Sequence, residues 1–156
     1  MARSLIDDRA VIPVFSLPGR GGVLFDVGDY KRKKNLVIFV LTHPTVPFLT
    51  ALDEACGSIR DKNAVVAIIV PCDPAVMENI HQAYRLAFPI LCDPEKRVMK
   101  RFVSAPPDEK IAALFITNRN SEVFFQFLAT EIHDLPPSAD IVKSLEFIES
   151  QCPECL

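Results

Sequence analysis

Two stretches of the chain are apolar at almost every position: Asn35 to Leu41 reads NLVIFVL, and Ala64 to Val70 reads AVVAIIV. Short runs of this kind, rich in β-branched residues and without polar alternation, predict strands buried on both faces of a sheet. Between them the apolar period changes. Phe48, Leu49, Leu52, Ala55, Cys56 and Ile59 recur at helical spacing, while Asp53 and Glu54 turn away. A strand, a helix and a strand in this order form a crossover unit, which places its two strands parallel.

The pattern continues downstream. DPAVMENIHQAYRLAF predicts a second helix with Asp73 as its cap, Pro74 in its first turn, and Val76, Ile80, Ala83 and Tyr84 on one face. FPIL is a short strand, and CDPEKRVMKRFV a helical turn opened by Asp93-Pro94 that points Val98, Met99 and Phe102 inward. The adjacent prolines of SAPPDEK suit neither a helix interior nor a central strand and mark a loop. IAALFIT and EVFFQFL, joined by the turn NRNS, read as a hairpin, and a closing helix from about Ser138 carries Ile141, Leu145, Ile148 and Cys152 on one stripe. The expected architecture is α/β: a central mixed β-sheet flanked by helices, with parallel strands first and an antiparallel pair late. That is the plan of a thioredoxin-like fold.

Composition narrows the function classes. A chain of 156 residues, 49% of them hydrophobic, suits a single domain spanning 1–156 with an ordinary core. The net charge of −3, from 17 basic and 20 acidic residues, gives no electrostatic footprint for nucleic acid or an anionic membrane. Lys31-Arg32-Lys33-Lys34 is the one basic cluster, and it reads as a solvated loop. No signal-peptide core opens the sequence, and no segment approaches the roughly 18 uninterrupted apolar residues of a spanning helix. Five cysteines, an odd and scattered number, do not form a secreted disulfide framework, so a reducing, cytoplasmic setting is expected. No cofactor is expected.

The segments IPVFSLPGRGGVLFDVGDYKRKKNLVIFVL, NAVVAIIVPCDP, FPILCDPEKRVMKRF and LFITNRNSEV together resemble peroxiredoxin-like proteins of the alkyl hydroperoxide reductase/thiol-specific antioxidant group. The resemblance spans residues 12 to 150. It implies a small hairpin before the first buried strand, and a reactive loop after that strand. In such a loop a cysteine opens a helix, where free backbone N–H groups and the helix dipole stabilise the thiolate. The register that best aligns HPTVPFLTAL with a Cys-Pro-x-Cys loop puts Val46 at the first cysteine, Pro47 and Phe48 between, and Leu49 at the second. Hydrocarbon side chains have no ionisable or nucleophilic group, so the usual chemistry has no atom to run on. The resemblance also implies a cis-proline before ALFIT and an arginine near it; this chain has Ile111-Ala112-Ala113 there, with Lys110 as the nearby cation. Thr45 stands for the family's peroxide-holding threonine or is a helix-cap hydroxyl. His43, His81 and His133 read as surface or packing residues.

Cys56, Cys72 and Cys92 fall on apolar stripes or strand ends, where cysteine behaves as a small hydrophobe. Cys152 and Cys155, in SQCPECL, are the candidate redox pair: Cys-x-x-Cys spacing suits a disulfide, a redox couple or half of a zinc site. Their place after a helix, beside Glu154, opposes thiolate formation. Three functions stay open. The first is a non-catalytic or auxiliary redox-related protein that binds a protein partner. The second is an oxidoreductase using Cys152 and Cys155. The third is a homodimer held by those cysteines through disulfide or zinc.

Overall fold

Residues 1–151 are described by the computed structural model. A two-residue strand β1 (Arg3–Ser4) precedes a small hairpin of β2 (Ser16–Pro18) and β3 (Leu24–Asp26), the hairpin that the resemblance implies. The crossover unit follows as β4 (Asn35–Leu41), α1 (Val46–Arg60) and β5 (Ala64–Val70), then α2 (Pro74–Tyr84) and β6 (Ile90–Cys92). A single helical turn α3 (Met99–Phe102) leads into β7 (Val103–Ser104), which pairs with β1. The chain then forms β8 (Ala112–Thr117), β9 (Val123–Ala129) and α4 (Ser138–Glu149).

The central sheet has five strands in the order β6-β5-β4-β8-β9. Strands β4, β5 and β6 run parallel, and β8 and β9 join antiparallel, so the sheet is mixed as the order of elements predicted. Every residue of β4 and β8 is buried, which explains their unbroken hydrophobicity. Successive side chains of β4 point to opposite faces. Val37, Phe39 and Leu41 join α1, α4 and Met77 of α2 in one core; Leu36, Ile38 and Val40 join α3 and the N-terminal hairpin in the other. In that second core Phe102 packs edge-on to Phe15, with ring centres 5.8 Å apart, and against Phe115 at 5.1 Å. Among the described residues no helix is long and apolar enough to cross a membrane.

The expected face of α2 is corrected. Met77 and His81 are the buried residues, Ile80 is half-buried, and Val76 and Tyr84 are exposed. The helix stops at Arg85, which adopts left-handed geometry (φ 48°), and the following Leu86 and Phe88 supply the apolar cover that Ala83 and Tyr84 were expected to give.

Asp93 opens no helix of its own. Its buried carboxylate accepts from the Val98 and Met99 N–H groups at 3.3 and 2.8 Å and so satisfies donors at the start of α3. An Asp93→Ala variant is expected to lose about 2 to 3 kcal/mol in denaturant unfolding, because two buried N–H groups lose a charged acceptor. A loss under about 0.5 kcal/mol would mean that solvent replaces it.

Candidate functional site

The loop between β4 and α1 is clamped to the start of β8. Thr42 N–H donates to the Ile111 carbonyl at 3.0 Å, and Ile111 N–H donates back to Thr42 Oγ1 at 2.9 Å. His43 is exposed, with Nδ1 2.8 Å from the same hydroxyl. Thr45 is the cap of α1: its extended backbone turns the chain into the helix, and its Oγ1 accepts from Phe48 N–H at 3.3 Å. Pro47 lies in the first turn, where its missing N–H costs nothing. Val46 is 44% exposed at the mouth of the helix, and Leu49, 3% exposed, points into the core. Thr45, Val46 and Pro47 therefore share one exposed turn, while Leu49 has a packing role.

Beside this turn lies a recess of about 100 Å³ lined by Thr42, His43, Thr45, Lys110, Ile111 and Glu131, among others. Lys110 Nζ stands 3.8 Å from Glu131 Oε1, both half-exposed. The cation nearest the loop is thus paired at the surface with a carboxylate, which weakens the positive field it offers an anion. The recess offers hydroxyls, an imidazole and a surface ion pair, and among the described residues no sulfur lines it.

A family model described as the AhpC/TSA family matches residues 9–125, well over half of the chain. The chain belongs to the AhpC/TSA family. Solved structures agree on the fold. The chain resembles peroxidoxin BcpB from Mycobacterium tuberculosis, with a TM-score of 0.76 at 17% identity over 93% of this chain and 99% of that one. A mutant of PrxQ from Xylella fastidiosa matches with a TM-score of 0.76 at 12% identity, covering 93% and 98%. A putative protein disulfide isomerase from Bacteroides thetaiotaomicron reaches 0.70 at 10% identity, covering 93% and 91%. No curated protein matches the chain. The AhpC/TSA match confirms the peroxiredoxin-like reading, and the solved structures confirm the thioredoxin-like fold.

The candidate pair Cys152 and Cys155 lies outside the described residues. Cys56 is buried in the α1 face of the core, and burial pushes its thiol pKa up. One pairing in this AhpC/TSA chain is not visible in its sequence. Cys72 and Cys92 approach to 3.9 Å between sulfurs. The signal present is only local: each is followed by Asp-Pro, and each closely follows a segment read as a strand.

His81 is the buried histidine. Its Nδ1 accepts from Arg20 Nε and Nη2 at 3.3 and 3.1 Å, while Ile90 N–H points at Nε2 from 3.3 Å. A neutral imidazole accepts through one nitrogen only, so the ring already faces more donors than it can serve. Burial first, and then the Arg20 charge, hold its pKa below 6.5; Glu78 partly offsets them. The folded pKa lies below the unfolded one, so unfolded chains bind the proton first as pH falls. Stability should be full above about pH 6.5 and decline below it, with a His81→Gln variant losing that slope. Denaturant midpoints measured across this range check it, and an unchanged slope in the variant would assign the acid loss elsewhere.

Proposed function

We propose that this AhpC/TSA-family chain is a non-catalytic or auxiliary redox-related protein that binds a protein partner and does not turn over peroxide at the family's usual thiol position. One observation carries the reading. At the mouth of α1, where the resemblance expects an attacking sulfur, Val46 presents two methyl groups to solvent, and the second sulfur position is the buried Leu49. No tuning of pKa makes a nucleophile of either side chain.

An apolar recess of about 320 Å³ beside the first turns of α1, lined by Phe39, Phe48, Leu52, Ile132 and Ile141 among others, supports binding as the use of this end of the molecule. A second copy of the chain is the other candidate partner. Among the described residues β9 is an edge strand, and it leaves Phe127 and Leu128 each 37% exposed.

The test is steady-state peroxide and dithiol-reductase turnover by the purified chain with Cys152→Ser and Cys155→Ser introduced together. No multiple turnover is expected, and robust turnover in that protein would overturn the reading. The Cys-x-x-Cys spacing of Cys152 and Cys155 favours one alternative, thiol-disulfide exchange at that pair. It requires turnover in the unaltered chain that either single serine variant abolishes.

A further inference from the structure

Cys72 follows β5 by two positions, and Cys92 ends β6, the adjacent parallel strand, where it stands opposite Val70 in register. The Val70 carbonyl accepts from Cys72 N–H and from Asp93 N–H, both at 2.9 Å. One carbonyl thus holds both cysteine-bearing segments, and the sulfurs face each other at 3.9 Å. A disulfide needs about 2 Å between sulfurs, so each has about 1 Å to travel. Cys72 has room for this, because it lies outside regular structure in the link between β5 and α2. Exposure differs too: Cys72 is partly exposed, whereas Cys92 is 1% exposed. Of the two residues, Cys72 is the more accessible to a small reagent.

We propose that Cys72 and Cys92 form a reversible intramolecular disulfide by exchange with a low-molecular-weight disulfide of the glutathione type. The Cys72 thiolate attacks one sulfur of the small disulfide, forming a mixed disulfide and expelling one small thiolate. The Cys92 thiolate then attacks Cys72 Sγ and expels the second. Two protein thiols are oxidised to one disulfide, one small disulfide is reduced to two thiols, and the two protein protons end on the released thiols. The pair occupies the same rim of the sheet as Val46, since both sites lie beyond the carboxyl ends of parallel strands. The exchange is stoichiometric and does not rest on the reading of Val46.

Burial, then the neighbouring Cys92, then Asp73 push the Cys72 thiol up to about 12, and burial raises Cys92 as well. Thiolate is scarce near neutrality, so the exchange is slow and quickens about tenfold for each pH unit between about 7 and about 9. A high thiol pKa also denies the reduced form the thiolate stabilisation that makes some disulfides easy to reduce.

The experiment uses the full chain carrying Cys152→Ser and Cys155→Ser, incubated with oxidised glutathione, quenched in acid, and analysed by intact mass and peptide mapping. The expected product has lost two hydrogens, contains a Cys72–Cys92 linked peptide, and reverts with dithiothreitol. Adding Cys92→Ser should trap a glutathione adduct on Cys72, and adding Cys72→Ser should prevent modification of Cys92 in the folded protein, with circular dichroism confirming the fold. A lasting adduct on Cys72 while Cys92 is present would overturn the proposal. So would a link from either cysteine to Cys56, or two unmodified thiols after a denatured sample has oxidised fully.

Discussion

Cysteine placed at Val46 is expected to titrate at about 7, against about 8.5 for an ordinary thiol. The position opens a 15-residue helix with no acidic residue in its first turn, and Val46 is exposed enough that burial adds little penalty. A shift of about 1.5 units raises the thiolate fraction at neutrality from about 3% to about half. It should go little lower. Thr45 already occupies the Phe48 N–H, and Pro47 has none to offer, so few backbone donors remain for the sulfur. Thiolate absorbance of Val46→Cys minus that of the parent gives the value directly. An ordinary pKa would show that Val46 does not stand where the family's thiol stands. Peroxide consumption by the variant should remain slow even with the thiolate present, because the Lys110 ammonium faces Glu131 at 3.8 Å.

Phe102→Ala should be severely destabilising, at about 3 to 5 kcal/mol. Phe102 is fully buried between Phe15 of the N-terminal segment and Phe115 of β8, so its removal empties the junction between the sheet and the elements laid over it. With a total stability of about 5 to 15 kcal/mol for an ordinary domain, that loss leaves the variant marginal. For a chain of this size it corresponds to about 10 °C in melting temperature. Denaturant unfolding checks it. A loss below about 1 kcal/mol would mean that the N-terminal segment collapses onto β8 and fills the space.

The elements best read from sequence are those whose burial is uniform. The bounds of β4 and β5 emerge unchanged because each is a nearly unbroken apolar run with sharp borders, set by Lys34, Asn35 and Thr42 around the first and by Asn63 and Pro71 around the second. The face of α2 was misread because its inward position is held by a histidine, whose partners Arg20 and Ile90 come from elsewhere in the chain. Strands β1 and β7, two residues each, are too short to carry any periodicity. At the candidate site, Thr45, Val46 and Pro47 were legible because helix caps and first-turn prolines are local signals. The Thr42–Ile111 clamp and the Lys110–Glu131 pair were not, since each joins positions brought together only by the sheet and its loops. The same reason hid the approach of Cys72 to Cys92: it follows from β5 and β6 being neighbours.

On the proposed reading of Val46, the capped but sulfur-free turn at Thr45–Val46 makes this protein a natural subtraction experiment. In an active thiol enzyme the contributions of helix, cation and hydroxyl act together, and deleting one disturbs the others. Here the helix and the hydroxyl remain, the cation is matched by Glu131, and the sulfur can be added last. The reactivity of that added sulfur, less that of cysteine in a short peptide, measures what a helix terminus supplies before any dedicated catalytic group joins it.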